Sequence, residues 1–187
     1  MTFLQSRPIR LTAAAAALVA ATGVLTAPSA AAATPVQRTY TDPADPGAAY
    51  DIRSLTLRSA PAANTRAKVV VKHARRVRVG DATDVWVNLD ADRAPDLHIT
   101  AYSFSEYAVF RARSFTRDGR DISDRDCARV SMAGRRTVVR LLPDCLGPSR
   151  RYAVSVRTSR DDRPPRAVDW APARRAFTGK VWSYQPA

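Results

Sequence analysis

Beyond residue 50, apolar and polar residues alternate one by one through most of the chain. The pattern is clearest in Ile52–Arg58 (IRSLTLR) and Ala67–His73 (AKVVVKH), and it recurs at residues 77–79, 83–89, 97–103, 107–110, 128–132, 138–142 and 152–158. A period of two sends successive side chains to opposite faces of a strand, so each segment reads as a half-buried β-strand. Turn formers separate them: Gly80-Asp81, residues 92–95, Asp118-Gly119, Ala133-Gly134, Gly147-Pro148 and residues 161–165. No helical period of useful length competes. Residues 141–146 allow one short helical turn, which Pro143 limits. The pattern predicts an all-β domain over residues 50–187, an antiparallel β-sandwich of jelly-roll or immunoglobulin-like type.

The chain before residue 50 follows other rules. Arg7 and Arg10 precede an uncharged, alanine-rich apolar run over residues 11–26, and small residues follow at 28–33. That order is the grammar of a secretory signal peptide, with cleavage expected after Ala33 and with Ala30 and Ala32 as neighbouring choices. A retained membrane anchor would need roughly 20 strongly apolar residues, whereas Gly23 and Pro28 break this run, so no transmembrane anchor is expected after processing. Residues 34–49 (TPVQRTYTDPADPGAA) lack an apolar period and read as a flexible leader. The expected destination is secreted or extracellular.

Charge changes this picture only in part. The chain carries 30 Lys and Arg against 17 Asp and Glu, a formal +13, which becomes +11 once Arg7 and Arg10 leave with the signal. Lys68, Lys72 and Lys180 are the only lysines and Glu106 the only glutamate, a skew that codon usage in a GC-rich genome also produces. The excess suits an anionic surface polymer, but biased composition in a soluble exported protein accounts for it more simply. Cys127 and Cys145 are the only cysteines, and in an oxidising compartment they are expected to form a disulfide. The hairpin predicted between them would return one beside the other, and closing that loop contributes about 3 kcal/mol in the chain-entropy model.

Three constellations could carry chemistry. If Val85, Val87, Leu89, Leu97, Ile99 and Ala101 fill the core, then Trp86, Asn88, His98, Thr100 and Tyr102 share the opposite face. Exposed, that face would receive a sugar ring or a peptide; covered, it is core. Asp90, Asp92 and Asp96 stand at positions 1, 3 and 7 of a calcium-loop-like run, but Ala94, Pro95 and Ala101 occupy positions 5, 6 and 12, so an EF-hand is excluded. The remaining choices are a calcium site or an acidic turn bonded to its own backbone. Lys72, His73, Arg75, Arg76 and Arg78 form the densest basic cluster, without the interleaved aromatics of a nucleic-acid stripe, so specific nucleic-acid binding is not expected. G-x-S-x-G, H-E-x-x-H and glycine-rich phosphate loops are absent. No catalytic residue is assigned.

The run from Asp84 to Leu97 (DVWVNLDADRAPDL), with its strand, acidic turn and strand, is similar to secreted β-sandwich proteins of high-GC Gram-positive bacteria. More distantly it resembles the family 9 carbohydrate-binding and DOMON-like sandwiches. Cys145-Leu146-Gly147, residues 152–158 (YAVSVRT) and Asp169-Trp170-Ala171-Pro172 leading to Phe177 look like the closing part of the same exported proteins. The resemblance implies a β-sandwich and no activity. The expected function is a secreted, non-catalytic binding or structural protein whose partner is a cell-wall glycan, an anionic surface polymer or an exported protein. A small extracellular hydrolase with unrecognised carboxylates and a protein–protein module or inhibitor using residues 161–166 are the alternatives.

Overall fold

The computed structural model describes residues 36–90, 92–147, 150–163 and 167–184. The expected signal peptide, residues 1–33, lies outside them, as do residues 164–166 of the loop assigned to the protein–protein alternative. Within the described residues the strands are β1 (Gln37–Thr41), β2 (Ile52–Arg58), β3 (Ala67–His73), β4 (Asp81–Asn88), β5 (Leu97–Tyr102), β6 (Tyr107–Ser114), β7 (Arg117–Asp121), β8 (Ala128–Ala133), β9 (Arg136–Leu141), β10 (Arg151–Arg160), β11 (Asp169–Ala171) and β12 (Val181–Trp182). They form two antiparallel sheets. One runs β1-β2-β3-β9-β8; the other runs β11-β10-β4-β5-β6-β7, with β12 paired to the start of β10. The expected β-sandwich is therefore the fold.

Alternation explains the core. Leu55 and Leu57 of β2, Val69 and Val71 of β3, and Val139 and Leu141 of β9 turn inward from one sheet. Val85 and Val87 of β4, Leu97 and Ile99 of β5, and Val154 and Val156 of β10 meet them from the other. Each such side chain contributes about 1.5–3 kcal/mol when fully buried. Tyr152 crosses the layer and donates its hydroxyl to the carbonyls of Arg58 (3.2 Å) and Lys68 (3.4 Å), which ties β10 to the opposite sheet. β4 departs from simple alternation, since all eight of its residues are buried. Its outer face is covered too.

Cys127 and Cys145 are bonded, with Cα atoms 5.5 Å apart, around the β8–β9 hairpin. That hairpin turns through Gly134 and Arg135; Gly134 has φ +57°, the sign a type II′ turn demands at its first central residue. Residues 143–146 form the short turn of 3-10 helix that Pro143 permits at its start.

Three expectations need correction, and two short strands were not foreseen. Residues 37–41, assigned to a flexible leader, form edge strand β1: Tyr40 packs against the core and the strand pairs with β2 along its length. Residues 77–79 are not a strand; the alternation Val77-Arg78-Val79 belongs to a loop that leaves Val79 exposed. The expected turn at Asp118-Gly119 lies inside β7, and the chain reverses before it, where Ser114 pairs with Arg117. β11 and β12, three and two residues long, are too short to show a period.

Candidate functional site

The outer face of the β4-containing sheet gathers the residues that alternation set apart. Trp86 lies beside His98 of β5 and Ser155 of β10, His98 lies beside Phe110 of β6, and Asp84 sits between Thr100 and Arg157. The Trp86 ring is stacked on His98 at 4.6 Å and on Trp170 of β11 at 5.2 Å. Phe115 tilts against it at 5.4 Å, and Phe177 packs on Phe115 at 5.3 Å. Trp86 is consequently only 1 % exposed, Asn88 and His98 are buried, Thr100 is half-buried, and Tyr102 alone is open to solvent. The five residues do share a face away from the core, but the aromatics close over one another. Closed in this way, they offer no open platform for a sugar ring.

Beneath the rings runs a chain of charges. His98 Nδ1 is 2.9 Å from Asp118 Oδ1 and its Nε2 is 3.1 Å from Asp84 Oδ1. Arg157 donates to Asp84 Oδ2 from Nε (3.0 Å) and Nη2 (2.7 Å). Burial works to raise the Asp84 pKa, but His98 and Arg157 outweigh it, and the net shift is downward. Burial likewise works to lower that of His98, and the two carboxylates carry it upward. Carboxylates facing both ring nitrogens favour the imidazolium form, the direction in which the His98 pKa moves. Every oxygen of Asp84 and every nitrogen of His98 is thus committed. The network joins β4, β5, β7 and β10, and neither group is free to take a proton from a nucleophile.

The acidic turn is bonded to its own backbone. Asp90 accepts the Asp92 amide proton (2.9 Å), Asp92 accepts that of Ala94 (2.8 Å) and Asp96 that of Leu89 (2.7 Å). Asn88 donates its amide to the carbonyls of Asp92 and Ala94, 3.0 and 2.7 Å away. Among the described residues the carboxylates that converge lie elsewhere: Asp42, Asp51 and Asp169 place oxygens within 4.8 Å of one another. Burial and the neighbouring aspartates lift Asp42 to about 6. Asp169 is held by the amides of Ile52 (2.6 Å) and Trp170 (2.7 Å), and burial raises its pKa as well. Such a trio either accepts a hard cation or shares a proton. No local spacing announces it, because β11 is 118 residues away from Asp51.

Charge is most unevenly distributed on the other sheet. β1, β2, β3, β8 and β9 contain Arg38, Arg53, Arg58, Lys68, Lys72, Arg129, Arg136 and Arg140, and no acidic residue. Register aligns Arg58, Lys68, Arg140 and Arg129 in one row across four strands, roughly 4.8 Å per step. A neutral row of Thr39, Thr56, Val70, Val138 and Ser131 follows, then Lys72 beside Arg136. Arg129 pairs with Asp126. Among the described residues no carboxylate lies within ion-pair distance of Arg58, Lys68, Lys72, Arg136 or Arg140. The basic cluster read from the sequence is dispersed by contrast. His73 is buried and Arg75 is clamped on Asp81, leaving Lys72, Arg76 and Arg78 exposed.

The fold and its bridge define a disulfide-linked antiparallel β-sandwich. Among the described residues no helix is long and apolar enough to cross a membrane. Compared with models of known families, with curated proteins and with solved structures, the chain matches none.

Proposed function

We propose that this is an exported, non-catalytic binding protein that adheres to anionic polymers through the outer face of its five-stranded sheet. The observation that carries the reading is the Arg58–Lys68–Arg140–Arg129 row on a sheet whose strands hold no acid. A linear polyanion crossing the strands would meet one cation at nearly every step, and the neighbouring Thr39, Thr56 and Ser131 hydroxyls add neutral hydrogen-bonding groups. The signal-like residues 1–33 and the disulfide both suit action at the cell surface or in the medium. N-terminal sequencing of the chain from culture medium, giving Thr34 or a neighbour as the first residue, checks the export half.

The binding half is tested on immobilised polyphosphate eluted with sodium chloride. The expected result is that Arg58→Ser/Lys68→Thr/Arg140→Thr elutes at clearly lower salt than the wild type. The control Arg111→Ser/Arg113→Ser/Arg120→Ser removes three positive charges from the other sheet and is expected to elute close to wild type. Equal shifts in both triple variants would reduce the effect to net charge and dismiss the face.

A further inference from the structure

One end of the sandwich is built unlike the rest. Among the described residues, the large hydrophobic ones that are exposed, Val79 (70 %), Tyr102 (44 %), Phe104 (78 %) and Tyr107 (37 %), all belong to two neighbouring loops or their flanks. These are the connections from β3 to β4 and from β5 to β6. Phe104 and Ser105 are consecutive non-glycine residues with φ of +72° and +65°, a conformation that a bulky side chain rarely adopts and that is retained only where the surroundings impose it. Here the turn is pinned on both sides. Ser105 Oγ accepts the Met132 amide proton at 3.0 Å, and the Tyr102 amide donates to the Glu106 carbonyl at 2.8 Å. The strained turn holds an aromatic ring out in solvent, where folding alone gives it nothing.

Phe104 and Val79 face each other over a groove of about 330 Å³ whose walls include Val77, Met132 and Gly134. The Val77 amide donates to the Gly134 carbonyl at 2.7 Å, so the loop is fixed to the β8–β9 turn. Around this apolar tip stand the exposed Arg76, Arg78, Arg135 and Arg136. Acidic groups nearby are fewer: Glu106 on the aromatic loop, Asp161, whose amide donates to the Gly80 carbonyl behind Val79, and Asp162, which is taken up by Arg160. Asp81 is buried and taken up by Arg75.

We propose that this end docks on an anionic lipid bilayer, with Phe104 and Val79 entering the acyl boundary and the arginine collar meeting headgroup phosphates. Two protruding apolar side chains are too few for the roughly 800 Å² that each side of a stable protein interface buries. They do suit shallow insertion of about 5–10 Å with cations at headgroup level. Tyr102 and Tyr107, apolar in body and polar at the tip, flank the wedge at the depth where such rings settle. The inference is separate from polyanion binding by the sheet face, because it requires an apolar interior that a soluble polymer lacks.

Sedimentation of the mature protein with phosphatidylglycerol–phosphatidylcholine vesicles, with pure phosphatidylcholine vesicles as reference, reads the proposal directly. The wild type is expected to pellet with the anionic vesicles. Phe104→Ser and Val79→Ser, both at exposed positions and checked for folding by circular dichroism, are expected to lose at least tenfold in affinity while their elution from polyphosphate is unchanged. In Phe104→Trp the added indole should shift its emission to the blue on vesicle addition. Undiminished pelleting of Phe104→Ser, or an indole that stays at its aqueous wavelength, overturns membrane docking and leaves the tip to a protein partner. Vesicle binding that survives in a protein unable to retain polyphosphate would sink the sheet-face reading and leave this one standing.

Discussion

His73 is placed where protonation and folding oppose each other. Its ring is 3 % exposed, stacked on Tyr50 at 4.0 Å, with Nε2 2.9 Å from Thr137 Oγ1. Burial is the main cause that brings its pKa from 6.5 down to about 3; Asp81 opposes it and Arg75 adds to it, both to a smaller extent. The unfolded chain therefore takes up a proton near pH 6.5 and the folded chain only near 3. Between those values the unfolded state holds the extra proton, so stability is full above the window and is lost as pH falls through it. At about 1.36 kcal/mol per pH unit, the loss from pH 6.5 to 4 comes to about 3 kcal/mol. Other groups act in overlapping ranges. Asp42, raised to about 6, holds its proton in the folded state and adds stability as pH falls from about 6 toward 3.8. His98, whose folded pKa is raised, contributes fully below 6.5 and loses that contribution as pH climbs through the folded value.

Those groups are common to the wild type and to His73→Gln, so the informative quantity is the difference between the two proteins. Urea unfolding at pH 7 and pH 4 should show the wild type losing about 3 kcal/mol relative to the variant. A difference that stays constant across that range, or an NMR titration placing the His73 imidazole above pH 5.5, would refute the reasoning.

Replacing both Cys127 and Cys145 by Ser, which opens a loop spanning 18 residues, should lower unfolding free energy by about 3 kcal/mol in urea. Trp86→Ala, emptying the stacked layer, should cost about 3–5 kcal/mol, whereas retention on insoluble glycan measured below its melting temperature should match wild type. Asp84→Asn leaves His98 and Arg157 facing a neutral amide; it should destabilise by about 3 kcal/mol and drop the His98 pKa seen by NMR below that of the wild type.

The strands most legible in the sequence are those with one face in the core and the other in water: β2 and β3 match the expected segments end to end. Alternation also divided β4 and β5 correctly, setting Trp86 and His98 apart from Val85, Val87, Leu97 and Ile99. It could not say that this second face is covered, because the covering rings come from Phe115, Trp170 and Phe177, residues in loops and in a three-residue strand. β7 (RDGRD) was missed because an edge strand over open solvent needs no apolar side chain. The cationic row was hidden for another reason. Each of Arg58, Lys68, Arg129 and Arg140 is an ordinary outward residue of its own strand, and only the pairing register brings them together.

The Cys127–Cys145 bond has a consequence for how two copies of the chain can entangle. β8 lies at a sheet edge, where strands are prone to exchange between molecules. The bond makes β8 and β9 one closed ring clasped at its base, and Leu142 secures that base by donating its amide to the Cys127 carbonyl at 2.9 Å. Neither strand can then swing out alone about a single hinge. β1, at the far edge, has no such clasp and is joined to its partner β2 only through residues 42–51. Swapped dimers of the oxidised chain should accordingly trade β1, and only reduction should free β8 to part from β9 and cross over by itself.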